Sequence, residues 1–497
     1  MIKKKVIESR IEIRNLKGIE PTIKAMNNFP NNQDIQENGC GALGVIAFNN
    51  EENQIEIRNL KGIEPIIKAM NNFSNNQDIQ ENGCGALWNI AINNKENQIE
   101  IRNLKGIEPI IKSMNNFPNN QDIQENGCGA LESIAINNKE NQIEIRNLKG
   151  IEPIIKAMNN FPNNQVIQYY GCGALRNIAK HNNENQIEIR NLKGIEPIIK
   201  AMNNFSNNQD IQENGCGALW NIAFNNKENQ IEIRNLKGIE PIIKSMNNFS
   251  NNQDIQINGC GALRNIAVNK ENQIEIRNLK GIEPIIKSMN NFPNNQDIQI
   301  NGCGALWNIA VNKENQIEIR NLKGIEPIIK SMNNFPNNQD IQINGCGALW
   351  NIAANNEENQ IEIRNLKGIE PIIKSMNNFP NNQDIQENGC GALLNIAVNK
   401  ENQIEINNLK GIEPIIKSMN NFPNNQDIQE NGIWALNNIS FNNDENQREI
   451  KRLNGIELIK KAMNNFPFNQ DIQEKGKWVL ESLEKIEIDF DFDFIFK

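Results

Sequence analysis

Lys105-Gly106-Ile107-Glu108-Pro109-Ile110-Ile111-Lys112-Ser113-Met114 is the stretch that decides the fold, because the chain repeats it almost unchanged along its length. Its glycine returns at Gly18, Gly62, Gly106, Gly150, Gly194, Gly238, Gly281, Gly324, Gly368, Gly411 and Gly455, at intervals of 43 or 44 residues. A period in this range marks a helical solenoid, whose units bury apolar faces against their neighbours and not around one centre. Within the stretch, Ile107, Ile110, Ile111 and Met114 fall at helical spacing. Pro109 suits the first turn of that helix, where no backbone donor is needed.

Working outward, Phe117-Pro118-Asn119-Asn120 breaks the chain, with serine for proline in three repeats. A longer helix follows, Asp122 to Ala135, with a stripe of Ile123, Gly127, Ala130, Leu131 and Ile134. Its two interior glycines each cost about 0.8–1 kcal/mol relative to alanine, a cost that fits close approach of neighbouring helices. Upstream, Glu96 to Lys105 reads as a short helix closed by Gly106 in a left-handed cap. Three repeats drop one loop residue, after Val268, Val311 and Val398, so the helices keep their length. The expected fold is an all-α solenoid of eleven three-helix repeats over residues 8–485. Residues 1–7 form a lead-in, and the last repeat carries extra charge, Lys475 and Lys477 among it, as a cap would. The tail, 486–497, alternates apolar and acidic residues at period two like a strand; a disordered tail, a short interaction motif and an edge for self-association of an otherwise monomeric chain are the readings open to it.

The 497 residues carry a net charge of −9, and Lys and Arg are spread through every repeat. No basic stripe forms, which excludes nucleic acid as a partner. No run of about 18 apolar residues predicts a membrane span, and the start, Met1 to Glu8, lacks the apolar segment of a secretory signal. Nine cysteines recur once per repeat from Cys40 to Cys390. Stacked helices lie roughly 8–10 Å apart, beyond the reach of about 7 Å that a disulfide needs. Unpaired thiols point to a reducing compartment, the cytoplasm, with the nucleus as a second location. His181 is the one histidine, and no cysteine has a histidine near it in sequence. No metal site, cofactor motif or catalytic dyad is therefore expected, and an enzyme is excluded.

Variation among near-identical copies is more telling than their sameness. One column of the third helix reads Gly44, Trp88, Glu132, Arg176, Trp220, Arg264, Trp307, Trp350, Leu394, Asn437 and Glu481. Seven residues earlier stand Glu37, Glu81, Glu125, Tyr169, Glu213, Ile257, Ile300, Ile343, Glu387, Glu430 and Glu474. Four residues later stand Phe48, Ile92, Ile136, Lys180, Phe224, Val268, Val311, Ala354, Val398, Phe441 and Lys485. At about 100° per residue these columns share one face, opposite the stripe of Ile79, Gly83, Ala86, Leu87 and Ile90. Free drift at exposed positions is one account of this face. Tryptophan at four of its positions favours the other, a docking surface, because tryptophan is typical of binding hot spots. Isoleucine at Ile257, Ile300 and Ile343 beside Arg264, Trp307 and Trp350 makes that segment the expected main site for an extended peptide or an amphipathic helix. Next to the tryptophans runs an asparagine column, Asn89, Asn177, Asn221, Asn265, Asn308, Asn351, Asn395 and Asn438. Evenly spaced carboxamides can hold a peptide backbone, or they can bond along the stack to Asn82-type residues; both readings stay open here.

The segments Gly-Ile-Glu-Pro-Ile-Ile-Lys and Asp78 to Ala91 (Asp-Ile-Gln-Glu-Asn-Gly-Cys-Gly-Ala-Leu-Trp-Asn-Ile-Ala) resemble the armadillo repeat, over roughly residues 8 to 485. They look similar to protist armadillo proteins and to the armadillo region of leucine-rich-repeat kinases. HEAT repeats, usually of two helices, are the near alternative. The resemblance implies a right-handed superhelix whose third helices line an inner groove, and a scaffold or adaptor that holds a partner protein there. Importin-type armadillo proteins grip basic peptides with an asparagine and a tryptophan four residues before it. Trp434 and Asn438 reproduce that pair, whereas nine repeats carry glycine in the tryptophan's place. The resemblance leaves two other roles, an importin-like cargo adaptor and a regulatory array associated with a kinase.

Overall fold

The computed structural model describes Arg14 and residues 17–485; the lead-in and the tail 486–497, with its strand-like alternation, lie outside the described residues. Among the described residues there are 32 α-helices and no strand, an all-α solenoid of repeats. They form two compact bodies, one ending at Phe249 and one starting at Ser250. The division falls between the second helix of the sixth repeat, Ile239–Asn248, and its third helix, Gln253–Ile266.

The third repeat shows how the sequence builds one unit. Its first helix, Lys95–Asn103, starts at Asn94, whose side chain accepts from the Asn97 amide, as an N-cap should. Its end corrects the sequence reading. Lys105, at φ 59, is the left-handed residue, and Gly106 sits at φ −75. The Gly106 amide reaches Ile101 O at 2.7 Å and the Lys105 amide reaches Arg102 O at 2.8 Å, the two bonds of a Schellman ending. Glycine is needed for space instead: a Cβ there would lie 2.8 Å from Ile67 Cδ1 and 2.9 Å from Ile101 Cγ2. In the last repeat Asn454, at φ 65, takes the lysine's role.

The second helix, Ile107–Asn116, carries Pro109 in its first turn and buries Ile107, Ile110, Ile111 and Met114. The third, Gln121–Ala135, is capped by Asn120 and buries Ile123, Cys128, Leu131 and Ile134. All nine cysteines are buried and unpaired. Met114 lies flat on Gly127, where an added Cβ would meet its Cγ at 2.5 Å. The loop residue missing from the short repeats is also identified. Asn93, Asn137, His181, Asn225, Asn355 and their like adopt positive φ before the next N-cap, and that residue is the one dropped after Val268, Val311 and Val398.

Amides, not only hydrocarbon, fill the core. Gln124 Nε2 donates to Met114 O and Phe117 O at 2.9 and 3.0 Å, satisfying the end of the second helix. Asn97 Nδ2 donates to Ile90 O at 2.8 Å and to Gln54 O at 3.2 Å, so one side chain closes the preceding third helix and binds the preceding first helix. The same pair of bonds recurs at Asn141, Asn185 and Asn229 in the first body and at Asn359, Asn402 and Asn446 in the second. Each bond contributes about 1 kcal/mol net, and losing one partner costs about 1–3 kcal/mol. The asparagine-rich composition is thus largely a stacking device.

Candidate functional site

The third helices present the changing columns, and the geometry of those columns follows from a glycine that nine of the eleven repeats keep. Trp88, Glu132, Arg176, Arg264, Trp307 and Trp350 each recline over that glycine in the next repeat. An added Cβ at Gly129 would lie 2.7 Å from Trp88 Cε2, at Gly217 2.5 Å from Arg176 Nε, and at Gly304 2.5 Å from Arg264 Nε. Gly173 faces Glu132 in the same way, Gly347 faces Trp307, and Gly391 lies 2.5 Å, by the same measure, from Trp350 Cδ2. The missing side chain leaves a slot that accepts tryptophan, arginine or glutamate alike. Trp220 is half-buried; Trp88, Trp307, Trp350, Arg176 and Arg264 are half-buried as a consequence of the slot. They brace adjacent repeats as well as lining the face.

The asparagine column is tied into the same contact. Asn89 Nδ2 donates to Gly44 O at 3.1 Å, Asn177 to Glu132 O at 3.1 Å and Asn221 to Arg176 O at 2.9 Å. In the second body Asn308 donates to Arg264 O, Asn351 to Trp307 O and Asn395 to Trp350 O, each at 2.9 Å, and Asn438 to Leu394 O at 3.0 Å. These acceptors lie in the last turn of a helix, where carbonyls run short of intrahelical partners; Gly44 O also accepts from the Phe48 amide at 3.2 Å. The bonds run along the stack, to the variable residue's carbonyl and not to Asn82-type side chains. Asn265 occupies the equivalent position and is half-buried.

Asn82-type residues form a second ladder: Asn126 donates to Glu81 O, Asn214 to Tyr169 O, Asn344 to Ile300 O and Asn388 to Ile343 O. The early column is half-buried at Glu81, Glu125, Tyr169, Glu213, Ile257, Ile300 and Ile343. Burial, then the nearby Asp122 and Asp78, raise the Glu81 carboxyl above its ordinary range. The late column is the open one: Val268, Val311, Val398 and Phe441 are 61–65% exposed. Beside it, Asn395 and Val398 join Asn355, Asn356, Glu357, Gln360 and Asn399 around a cleft of about 330 Å³.

Two positions stand apart. The Glu132 carboxyl lies over Gly173, where burial pushes it up to about 8 while Arg176 pulls it down. The side chain is half-buried as a whole, but its acidic end is at the bottom of the slot. At Trp434 the Lys475 ammonium sits 4.6 Å from the ring centroid, and 3.9 Å from that of Trp478. Asn438 accepts from Asn437 Nδ2 at 3.3 Å besides donating to Leu394. The one tryptophan–asparagine pair with importin-type spacing is therefore engaged within the chain.

Sequence reasoning placed the changing face but missed the slot. The glycine column and the fixed Asn and Gln columns were its visible signal, since only a shared packing geometry keeps them constant beside a changing neighbour. Among the described residues, no group of three His, Cys, Asp or Glu side chains could hold a metal ion, and no helix is long and apolar enough to cross a membrane.

A family model described as the LRRK2 ARM repeat matches residues 2–187, 146–323, 270–454 and 318–489, overlapping stretches that cover nearly the whole chain. Among solved structures, an engineered protein aligns with a TM-score of 0.70 at 23% identity, over 85% of this chain and 98% of its own. A chain from a structure concerning the phosphorylation-switched interaction between cadherin and β-catenin aligns with a TM-score of 0.76 at 13% identity, over 94% of this chain and 96% of its own. Identities this low speak to the fold. No curated protein matches the chain in sequence.

Proposed function

Since the chain belongs to the armadillo-repeat family, we propose that it is a non-catalytic cytoplasmic scaffold that holds a partner protein along its third-helix face. One observation carries this reading. Repeats that are otherwise nearly copies of one another differ in side chain on this face, while the opposite, buried stripe stays fixed. A structural relative concerns cadherin and β-catenin, which supports a protein as the class of ligand.

In the second body the half-buried Ile257, Ile300 and Ile343 stand near Arg264, Trp307 and Trp350, bordered by the exposed Val268 and Val311. An extended segment or an amphipathic helix with apolar side chains at regular intervals would suit this surface. The tryptophans supply broad faces at little cost in flexibility, because their rings are already braced.

Alanine at Trp307 or Trp350 is not a clean test, because both rings also support the stack. The exposed valines are. Affinity capture from source cells should compare the wild-type chain with Val268→Glu/Val311→Glu, and with Lys287→Glu on the exposed side of a second helix. The reading expects the valine variant to lose its specific partners while melting like wild type, and the lysine variant to keep them. Capture that survives the valine change, or fails equally with the lysine change, contradicts it.

A further inference from the structure

Where copies are nearly identical, clustered exceptions are informative. Tyr169-Tyr170 replaces the Glu-Asn of the neighbouring repeats, and Glu132-Ser133 replaces a tryptophan or arginine followed by asparagine. Both changes give up a stacking bond. Asn126 and Asn214 each donate to a carbonyl of the repeat before them, at 3.3 Å, and Tyr170 takes that asparagine's place. Ser133 takes the place of an asparagine of the kind that clamps Gly44 O and Glu132 O. Two clamps are relinquished side by side, and aromatic and acidic groups stand there instead.

The groups converge. The Tyr170 ring lies 4.7 Å from that of Trp88 at 75°, and 4.7 Å from that of Tyr169 at 68°. Trp88 belongs to the second repeat and Tyr170 to the fourth, so the indole reaches across Gly129 of the third. The carboxyls of Glu125 and Glu132 both act on the Tyr170 phenol. Glu125 is held by Asn164 Nδ2 at 2.7 Å and Gln121 Nε2 at 3.0 Å. Both tyrosines are half-buried, and the Trp88 indole N–H is buried without an acceptor.

We propose that Trp88, Tyr169, Tyr170, Glu125 and Glu132 form a recognition site for one cationic side chain, a guanidinium or alkylammonium, carried by the partner protein. The inference rests on the reading of the third-helix face as a docking surface and adds the chemistry of one anchor. Ring faces attract cations through their quadrupoles, most strongly where water is partly excluded. The charges agree in sign. Glu125 and Glu213, joined by Glu132 once it is ionised, stand against Arg176, which already bonds Asn214 at 3.1 Å and pairs with Glu213 at 3.5 Å. Carboxyls are in excess, so an anion would be repelled and a neutral group would gain little.

Glu132 gives the site a proton signature. Its carboxyl, pushed up to about 8 by burial, is mostly protonated near neutral pH, and a cation above it favours the ionised form. Binding then releases a proton and strengthens as pH rises toward 8. The groups that face Glu132 are Arg176, Tyr169 and Tyr170 on the following third helix, with the Cys128 and Cys172 thiols. Burial raises the phenols and thiols, so neither kind of group titrates in this window.

The test uses the full-length protein labelled with 5-fluorotryptophan, one fluorine signal for each of six tryptophans, with Trp88→Phe assigning the signal of Trp88. The probes are N-acetyl-Gly-Gly-Arg-Gly-Gly-amide and its neutral citrulline counterpart. The Arg peptide should shift the Trp88 signal and bind about tenfold more tightly than the citrulline peptide. Affinity should rise at least about tenfold between about pH 6 and pH 8, and lose that dependence in Glu132→Gln. Tyr170→Asn, which restores the neighbouring repeats' residue and so preserves folding, should weaken binding by about fivefold or more. Equal affinity for both peptides, an unmoved Trp88 signal, or wild-type binding by Tyr170→Asn overturns the site. The titration needs no natural partner: its failure with capture intact removes only this anchor, and failed capture with the titration intact removes only the scaffold reading.

Discussion

Gly391→Ala isolates the contact on which the candidate face is built. An added methyl would sit 2.5 Å from both Cδ2 and Cε2 of Trp350 and 2.9 Å from Cζ2, far inside van der Waals contact. On helix propensity alone the change should stabilise by about 0.8–1 kcal/mol. Forcing a braced indole out of its slot should cost about 1–3 kcal/mol, so the single variant should come out neutral to about 2 kcal/mol less stable. In a Trp350→Ala background the slot is empty and only the propensity gain remains. The coupling between the two sites is then about 1–3 kcal/mol, read from denaturant midpoints of the four proteins of the cycle. Gly389→Ala is the control: its methyl would meet Met376 Cγ at 2.5 Å, and removing Trp350 should not rescue it. Additivity of Gly391→Ala and Trp350→Ala within about 0.5 kcal/mol would refute the reclining-side-chain geometry.

Asn141→Ala removes a fully buried carboxamide that donates to Ile134 O at 2.8 Å and Gln98 O at 3.2 Å; a loss of about 2–4 kcal/mol in denaturant unfolding is expected. Lys105→Gly should stabilise by about 0.5–1 kcal/mol, since the residue sits at φ 59, whereas Gly106→Ala should destabilise by driving a methyl toward Ile67 and Ile101; thermal melts decide both. Glu132 is raised from its ordinary 4.5 to about 8. Below the lower value it is protonated folded or unfolded. Between the two the folded chain holds the extra proton, so stability falls as pH rises and the loss is complete above about 8, on the order of 2–4 kcal/mol. Glu132→Gln should flatten that fall when unfolding midpoints are compared from about pH 5 to 9.

The repeat, its three helices and the buried stripes were legible because period and apolar spacing express one requirement, burial against the next copy. Ile107, Ile110, Ile111 and Met114 are all buried as their spacing demands. The left-handed residue was misassigned because glycine answers to two needs at once. At Gly106 room for Ile67 prevails, and the strained φ passes to Lys105. The changing face was visible as a column, but its partial burial was not, since a helical wheel fixes direction within one helix and says nothing of how far the next repeat intrudes. The same limit hid the use of Asn351 and its like, whose donors serve a carbonyl 44 residues back.

Site-specific photo-crosslinking tests the central claim most directly. A benzophenone side chain placed at Val268 or Val311, both exposed beside the tryptophan column, is compared with one at Lys287 or Lys330 on the exposed side of the second helices. If the third helices carry the partner, adducts form from the two valine positions and not from the two lysine positions. Adducts chiefly from the lysine positions would contradict the account.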